Sequence, residues 1–327
     1  MRALIFDGKQ PRVIDDHPEP TLQPGEAIIR PLVAGVCSTD LEICRGYMGF
    51  TGVLGHEFVG VVDKVHDDSD PGAAALLGKR VVGSINCVCG RCDMCRRGLA
   101  RHCRDRTVLG IAGRDGCFAE RFALPVRNLH VLPETLDREK AVFTEPLAAA
   151  CQIDRQLHIQ GQPYVTVLGD GRLGLLVAQA LARLNASVRV IGKHPAKLEL
   201  CTKWGIKHRM LDELTPRKDQ DIVVDCTGSA DGLELAMRLV RPCGRIVLKT
   251  TVADAPPLNL APLVIDEIEL VGSRCGVFTD ALPLLDADEV DVVSMISRRM
   301  NLADGVEALR AAQQRDVVKV LIEIGNR

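Results

Sequence analysis

The sequence predicts an α/β chain made of a β-rich first part, a doubly wound parallel sheet and a short C-terminal return. Three observations carry this prediction. Up to about residue 140 the apolar residues come in short runs broken by Pro, Gly and charge, with no long helical period. From Tyr164 onward, strand-like and helix-like segments alternate strictly, as βαβ units of a parallel sheet do. Residues 279–327 then hold two helical patterns and a closing strand, too little for a core of their own.

Taken in order, strands are expected at 27–30, 58–62, 80–82 and 118–122, each bounded by turn residues. The pattern changes near Phe143. Tyr164–Leu168 reads as a strand, and residues 173–184 repeat Leu, Val and Ala at helical spacing. A strand at 187–191 and a helix at 195–204 follow, with Pro195 suited to the first helical position. Strand 221–226, helix 231–240 and strand 245–250 continue the alternation, and 263–271 reads as one more strand. A strand at 317–324 closes the chain. The expected domains are therefore 1–145, 146–275 and a return over 276–327 that packs on the first domain.

Composition excludes several classes of function. Lys and Arg number 41 against 43 Asp and Glu, giving a net charge of −2 without a basic block, so no nucleic-acid partner is expected. Aromatic residues are only 3%, too few for a base-stacking surface. No apolar run approaches the roughly 18–20 residues of a membrane span. The opening MRALIFDGKQ lacks the apolar core of a secretion signal, so the expected location is cytoplasmic. In a reducing compartment, an odd total of 13 cysteines points to metal rather than to a disulfide framework.

Cys89, Cys92, Cys95 and Cys103 form C-x2-C-x2-C-x7-C within a lobe at about 87–104. Four thiolates close the tetrahedral shell of zinc and leave no position for substrate, so such a site is structural. Arg91, Arg96, Arg97 and Arg101 suit its negative charge. An iron–sulfur cluster uses the same donors, and a set of buried thiols is the remaining reading.

Gly169-Asp170-Gly171-Arg172-Leu173-Gly174 is G-x-G-x-x-G, directly after one strand and at the start of a helix. In that context it predicts a dinucleotide site. Gly169 makes the turn, Gly171 lets the pyrophosphate approach, Gly174 lets helix pack on strand, and the helix N-terminus around Arg172 and Leu173 supplies amides. The second strand is followed by Gly192-Lys193-His194, with Lys197 one turn on and no carboxylate at the tip. That favours NADP(H) over NAD(H). Four more potential metal donors are scattered: Cys37, the pair His56-Glu57, and Glu145. Each alone is weak, since a lone His beside a strand is more often structural and Glu145-Pro146 also reads as a helix start.

Together these motifs resemble the zinc-dependent medium-chain dehydrogenase/reductase superfamily, which includes the alcohol, polyol and threonine dehydrogenases. The resemblance spans the chain. It rests on Cys37-Ser38-Thr39-Asp40, Gly55-His56-Glu57, the four-cysteine lobe, Glu145-Pro146-Leu147 and Gly169–Gly174, in the family's order. It implies a GroES-like catalytic domain, a Rossmann NAD(P)-binding domain and two zinc ions per chain, one structural and one catalytic. The catalytic zinc is implied on Cys37 and His56 with Glu145 as third ligand, and Glu57 beside the metal through water or as a transient ligand. Thr39 matches the hydroxyl that relays the alcohol proton, and Cys226 and Thr227 match the loop bordering the cofactor. The implied reaction moves a hydride between a secondary alcohol or polyol, or its ketone, and the nicotinamide. The implied assembly is a homodimer or homotetramer. A zinc-free quinone or enoyl-type reductase and a non-catalytic NADPH-binding protein are the competing readings; the first leaves the fit of Cys37, His56 and Glu145 unexplained. Three departures stand out: His66 replaces a family Gly or Ala, Glu42 occupies the place of the relay histidine, and the chain is short.

Overall fold

The computed structural model describes residues 1–66, 71–251 and 258–325. It divides into two compact units, Met1–Glu145 with Ile296–Arg327, and Pro146–Met295. The expected domain boundary at 275 lies inside the second unit, and residues 326–327 of the expected return lie outside the described residues.

The first unit is organised by one long buried strand, Glu26–Gly35. It pairs antiparallel with Glu57–Val65, with Phe122–Pro125 and with Lys319–Glu323. Its proline, Pro31, sits where the register shifts against the partner strand, so the missing donor breaks no regular ladder. The sheet runs Leu129–Val131, Arg80–Gly83, Glu57–Val65, Glu26–Gly35, Lys319–Glu323, Ile296–Asn301. Gly35 is the residue that positions the site, because its register partners are Glu57 on one side and Leu321 on the other. The end of Glu26–Gly35 and the start of Glu57–Val65 thus meet beside the middle of Lys319–Glu323. The strand expected at 118–122 is displaced: Ala119 makes only an isolated bridge, and the regular strand is Phe122–Pro125. Val65 ends its strand just before His66, whose backbone N–H donates to Glu26 O.

The second unit is a parallel sheet ordered Lys207–Met210, Ser187–Gly192, Tyr164–Leu168, Gln220–Asp225, Val240–Leu248, Glu269–Gly272. In chain order that is 3-2-1-4-5-6, the doubly wound dinucleotide-binding order, with the crevice at the strand tips where the order reverses. Buried Leu168, Ile191, Val223 and Ile246 pack with Ala236 and Met237 of the helix Gly232–Leu239. Their continuous apolar runs follow from burial on both sheet faces. One expected strand, 263–271, is corrected. Residues Ala261–Ile265 are helical and only Glu269–Gly272 is a strand. Asp266 and Glu267 break the apolar run, and Glu267 adopts a positive φ of 50° that ends the helix turn. The helix Thr144–Leu157 carries Glu145 in its first turn.

Candidate metal and dinucleotide sites

The metal-type site of the first unit is built where Glu26–Gly35 ends. The chain leaves the strand at Val36, and Cys37 caps the helix Ser38–Ile43. Asp40 at the third helical position returns its carboxylate: Oδ2 accepts from Cys37 N at 2.8 Å and Oδ1 from Gly55 N at 3.2 Å. This capping box locks the Cys37 backbone and the Gly55 turn to one group. Gly55 needs to be glycine, since its φ is +92° and a Cβ would fall 2.3 Å from Phe118 Cδ1.

His56 and Glu57 follow that turn, and both are buried. Donor atoms of Cys37, His56 and Glu57 all lie within 4.8 Å of one another. His56 Nδ1 stands 3.3 Å from Asp40 Oδ1 but is not aligned for a hydrogen bond with any protein group. Burial works against an imidazolium there, yet the charges of Asp40 and Cys37 outweigh it and lift the His56 pKa well above its ordinary value. A thiolate, an imidazole and a carboxylate in an anionic pocket are a zinc-type donor set. Thr39 Oγ1 is 3.7 Å from Cys37 Sγ. Glu145, expected as third ligand, is not in the clustered set. It is carried by the first turn of a separate helix, whereas Glu57 is fixed on one strand next to His56. Glu42 is paired with Arg45 at 2.6 Å on the exposed side of the short helix.

Sequence reasoning missed two residues of this site. Asp40 was visible as the third residue after Cys37, the spacing of a capping box. Lys319 was visible only as a lone cation inside the apolar run 317–322. Its Nζ donates to Glu57 Oε2 and, at 3.2 Å, to Val36 O. It also stands 5.4 Å from the centroid of the Phe143 ring. Lys319 and Glu57 are each 1% exposed. The pair lies over Gly35, where a Cβ would be 2.4 Å from Glu57 Oε2 and 2.8 Å from Lys319 Nζ.

The four-cysteine lobe brings its sulfurs together as expected from their spacing. Cys92 and Cys95 are 3.5 Å apart, Cys92 and Cys103 3.8 Å, and Cys103 and Cys89 3.5 Å. A tetrahedron with Zn–S bonds of about 2.3 Å has edges of about 3.8 Å, so the set fits one ion. Backbone amides at Arg104 and Cys95 draw the Cys92 thiol down to about 6. Burial and the neighbouring sulfurs push Cys95 up to about 12. Four thiolates at this separation repel, and a cation at their centre removes the conflict.

In the second unit, Gly169 turns at φ +105°, and a Cβ there would meet Cys226 O at 2.6 Å. A Cβ on Gly174 would meet Gly169 O at 2.0 Å, which is the close helix–strand approach the motif predicts. Gly171 has nothing within 4 Å of its Cβ position, so the approach to the N-terminus of Arg172–Ala182 is open. Buried Asp225 holds the next loop, accepting from Thr227 N at 2.9 Å, Thr227 Oγ1 at 2.7 Å and Thr250 Oγ1 at 2.9 Å. Cys226 is half-buried beside the turn, and desolvation lifts its thiol to about 12.

The absence of a carboxylate at the tip of Ser187–Gly192 is corrected. Asp170, the second residue of the glycine motif, reaches that tip from the turn after the neighbouring strand Tyr164–Leu168. Its Oδ2 accepts from Lys193 N at 2.8 Å and His194 N at 2.7 Å, and its Oδ1 is 2.9 Å from His194 Nδ1. Lys193 is exposed, while Lys197 is buried.

The matching family models agree with both units. Residues 23–134 match the alcohol dehydrogenase GroES-like domain, and residues 173–287 match the zinc-binding dehydrogenase. The chain is 32% identical to L-threonine 3-dehydrogenase of Streptomyces coelicolor over 83% of each sequence. It is 28% identical to 2-dehydro-3-deoxy-L-galactonate 5-dehydrogenase of Pseudoalteromonas atlantica over 92% of each. Among solved structures, a Sinorhizobium meliloti protein bound to NADP superposes with a TM-score of 0.86 at 26% identity, covering 98% of both chains. An Escherichia coli alcohol dehydrogenase complexed with NADH superposes at 0.90 and 25%, covering 99% of both. With these matches added to the two donor sets and the glycine turn, the chain belongs to the zinc-dependent medium-chain dehydrogenase/reductase superfamily.

Proposed function

We propose that this protein is a zinc alcohol dehydrogenase that interconverts a secondary alcohol or polyol and its ketone with a nicotinamide dinucleotide. The convergence of Cys37, His56 and Glu57 carries this reading, because a reductase that works without a catalytic metal has no use for a buried thiol–imidazole–carboxylate set. Zinc held there would supply a Lewis acid toward the substrate oxygen, and the nicotinamide would carry the hydride. The chain's own residues do the rest. Asp40 fixes the Cys37 backbone and stands beside the His56 ring, so the donors are oriented before any ion binds. Lys319 holds Glu57 by one carboxylate oxygen. The Thr39 hydroxyl, beside Cys37, takes and passes on the substrate proton at Oγ1. Cys89, Cys92, Cys95 and Cys103 would hold a second, structural zinc.

Similar proteins that act on threonine and on a sugar acid support an alcohol with polar neighbours. Exposed Val264, Ile265 and Leu270, on and beside the edge strand Glu269–Gly272, support assembly as a homodimer or homotetramer. Among the described residues no helix is long and apolar enough to cross a membrane. The test is a screen of alcohols and ketones with NAD(H) and NADP(H), run beside metal analysis. Two zinc ions per chain with turnover on an alcohol–ketone pair are expected. One zinc with turnover on quinones or enones, or two zinc with no turnover, would overturn the proposal.

A further inference from the structure

In doubly wound dinucleotide sites, the tip of the second strand chooses between the two nicotinamide cofactors. A carboxylate there accepts from the adenosine ribose hydroxyls of NAD, while a cation there receives the 2′-phosphate of NADP. In this chain the tip residue is Gly192, followed by Lys193 and His194, and its own sequence offers no acid.

The space of the missing side chain is nevertheless filled. A Cβ built on Gly192 would lie 2.4 Å from Asp170 Oδ2, 2.6 Å from Asp170 Cβ and 2.7 Å from Asp170 Cγ. Asp170 therefore occupies the volume that a residue-192 side chain would take. It is 5% exposed and anchored by the Lys193 and His194 backbone N–H groups, with the His194 ring against its other oxygen. Those two amides are the donors that a phosphate at this tip would otherwise find.

Resting on the dehydrogenase reading above, we infer that Asp170 is the specificity-determining carboxylate of the ribose subsite, delivered from the glycine turn, and that it selects NAD(H) over NADP(H). Two effects act together. A 2′-phosphate, carrying nearly two negative charges, would be set against a buried carboxylate that has no room to withdraw. The tip amides are also already satisfied, so the phosphate gains no backbone donors in return. His194, held by Asp170 with its ring partly exposed, presents a polar edge to ribose hydroxyls. Lys193 at the tip is exposed, as is Arg209 on the adjacent strand, paired with Ile191.

The inference is tested by binding, independently of turnover. Dissociation constants for NADH and NADPH are measured by fluorescence on the zinc-loaded protein, and those for 5′-AMP and 2′,5′-ADP by calorimetry. Wild type is expected to bind NADH about tenfold or more tighter than NADPH, and 5′-AMP tighter than 2′,5′-ADP. Asp170→Asn is expected to reduce that ratio about tenfold by removing the charge while keeping the shape. Because Asp170 is buried and a single variant could disturb the turn, a second one relocates the acid. The double variant Asp170→Gly with Gly192→Asp carries it on the strand itself and is expected to restore the preference for NADH. A wild type that binds NADPH as tightly as NADH, or an Asp170→Asn protein with an unchanged ratio, overturns the inference. Failure to bind either dinucleotide would instead overturn the dehydrogenase reading on which it rests.

Discussion

Replacing Lys319 with Met tests whether the buried pair holds the end of the metal-site strand. Lys319 Nζ donates to Glu57 Oε2 and to Val36 O at 3.2 Å, and faces the Phe143 ring at 5.4 Å. With both partners 1% exposed, neither charge can be rehydrated in place. Methionine keeps the apolar stem but leaves the Glu57 carboxylate buried without its cation, which costs about 3–5 kcal/mol. Loss of the ring contact adds about 0.5–2 kcal/mol. Glu57→Gln alone strands the ammonium and is expected to cost a similar amount. The double variant removes both charges together and is expected to be within about 2 kcal/mol of wild type, because a buried pair hardly outperforms neutral replacements of the same volume. The two single effects should therefore be strongly non-additive. Urea unfolding of the three variants gives the energies, and hydrogen exchange over Glu26–Gly35 localises them. Single variants that each cost less than about 1 kcal/mol, or a double variant that costs the sum of the two, would show that the pair does not support this strand end.

Three further outcomes are expected. Cys37→Ala and His56→Ala should each abolish turnover and leave the dissociation constant for NADH unchanged; turnover at the wild-type level in either would refute the catalytic-zinc assignment. Cys92→Ser should lower the metal content from two zinc per chain to one and destabilise the lobe, read by elemental analysis and by proteolysis at 87–104; a protein that still holds two would reassign the cluster. Asp291 gives a pH signal. Burial pushes its pKa up, but hydrogen bonds from Ser294 and Trp204, with Lys203 beside it, outweigh that and hold it below the ordinary range. Its contribution is therefore complete above the unfolded pKa and fades as pH falls below about 4 toward the folded value. Trp204, the single tryptophan, donates to Asp291 Oδ2 at 3.0 Å, so its fluorescence should follow that acid limb. Asp291→Asn should flatten the limb, and an unchanged acid titration would refute this role.

What was legible in the sequence depended on whether the signal was local. The Tyr164–Leu168 strand and the glycine turn are adjacent in the chain, so their joint context was readable. The four cysteines needed only their spacing. The core-facing parallel strands were readable because burial on both faces makes them apolar throughout. Residues 263–271 misled because a short helix and a short strand share one apolar run, and periodicity does not separate them at that length. Glu145 was placed by resemblance to polyol and threonine dehydrogenases, whereas the donor cluster forms from groups on Glu26–Gly35 and Glu57–Val65 and their flanks. The partners of Asp170 and Lys319 could not be read from their neighbours in the chain. Each acts across a strand pairing, Asp170 on the tip of Ser187–Gly192 and Lys319 on Glu57, and single-sequence periodicity carries no pairing information.

The two sites share a device that a sequence does show, though in a form easily misread. At Gly35 and at Gly192 the missing side chain is replaced by a charged group from elsewhere in the chain, Glu57 with Lys319 from two strands in one case and Asp170 from the glycine turn in the other. Neither glycine has a left-handed φ, so neither is there for backbone freedom. Each is the imprint of a neighbour's carboxylate. If so, alanine at either position should fail for a reason specific to the site. Gly35→Ala puts a methyl 2.4 Å from Glu57 Oε2 on a strand that cannot shift without breaking its pairing with both neighbours, and overpacking of that kind costs about 1–3 kcal/mol. Shortening the intruding group should relieve the clash: Gly35→Ala combined with Glu57→Asp is expected to regain most of the lost stability. At the second site, Gly192→Ala should displace Asp170 and weaken its hold on the Lys193 and His194 amides. A Gly35→Ala protein as stable as wild type would mean that the Glu57–Lys319 pair adjusts freely, and the glycine would then need another explanation.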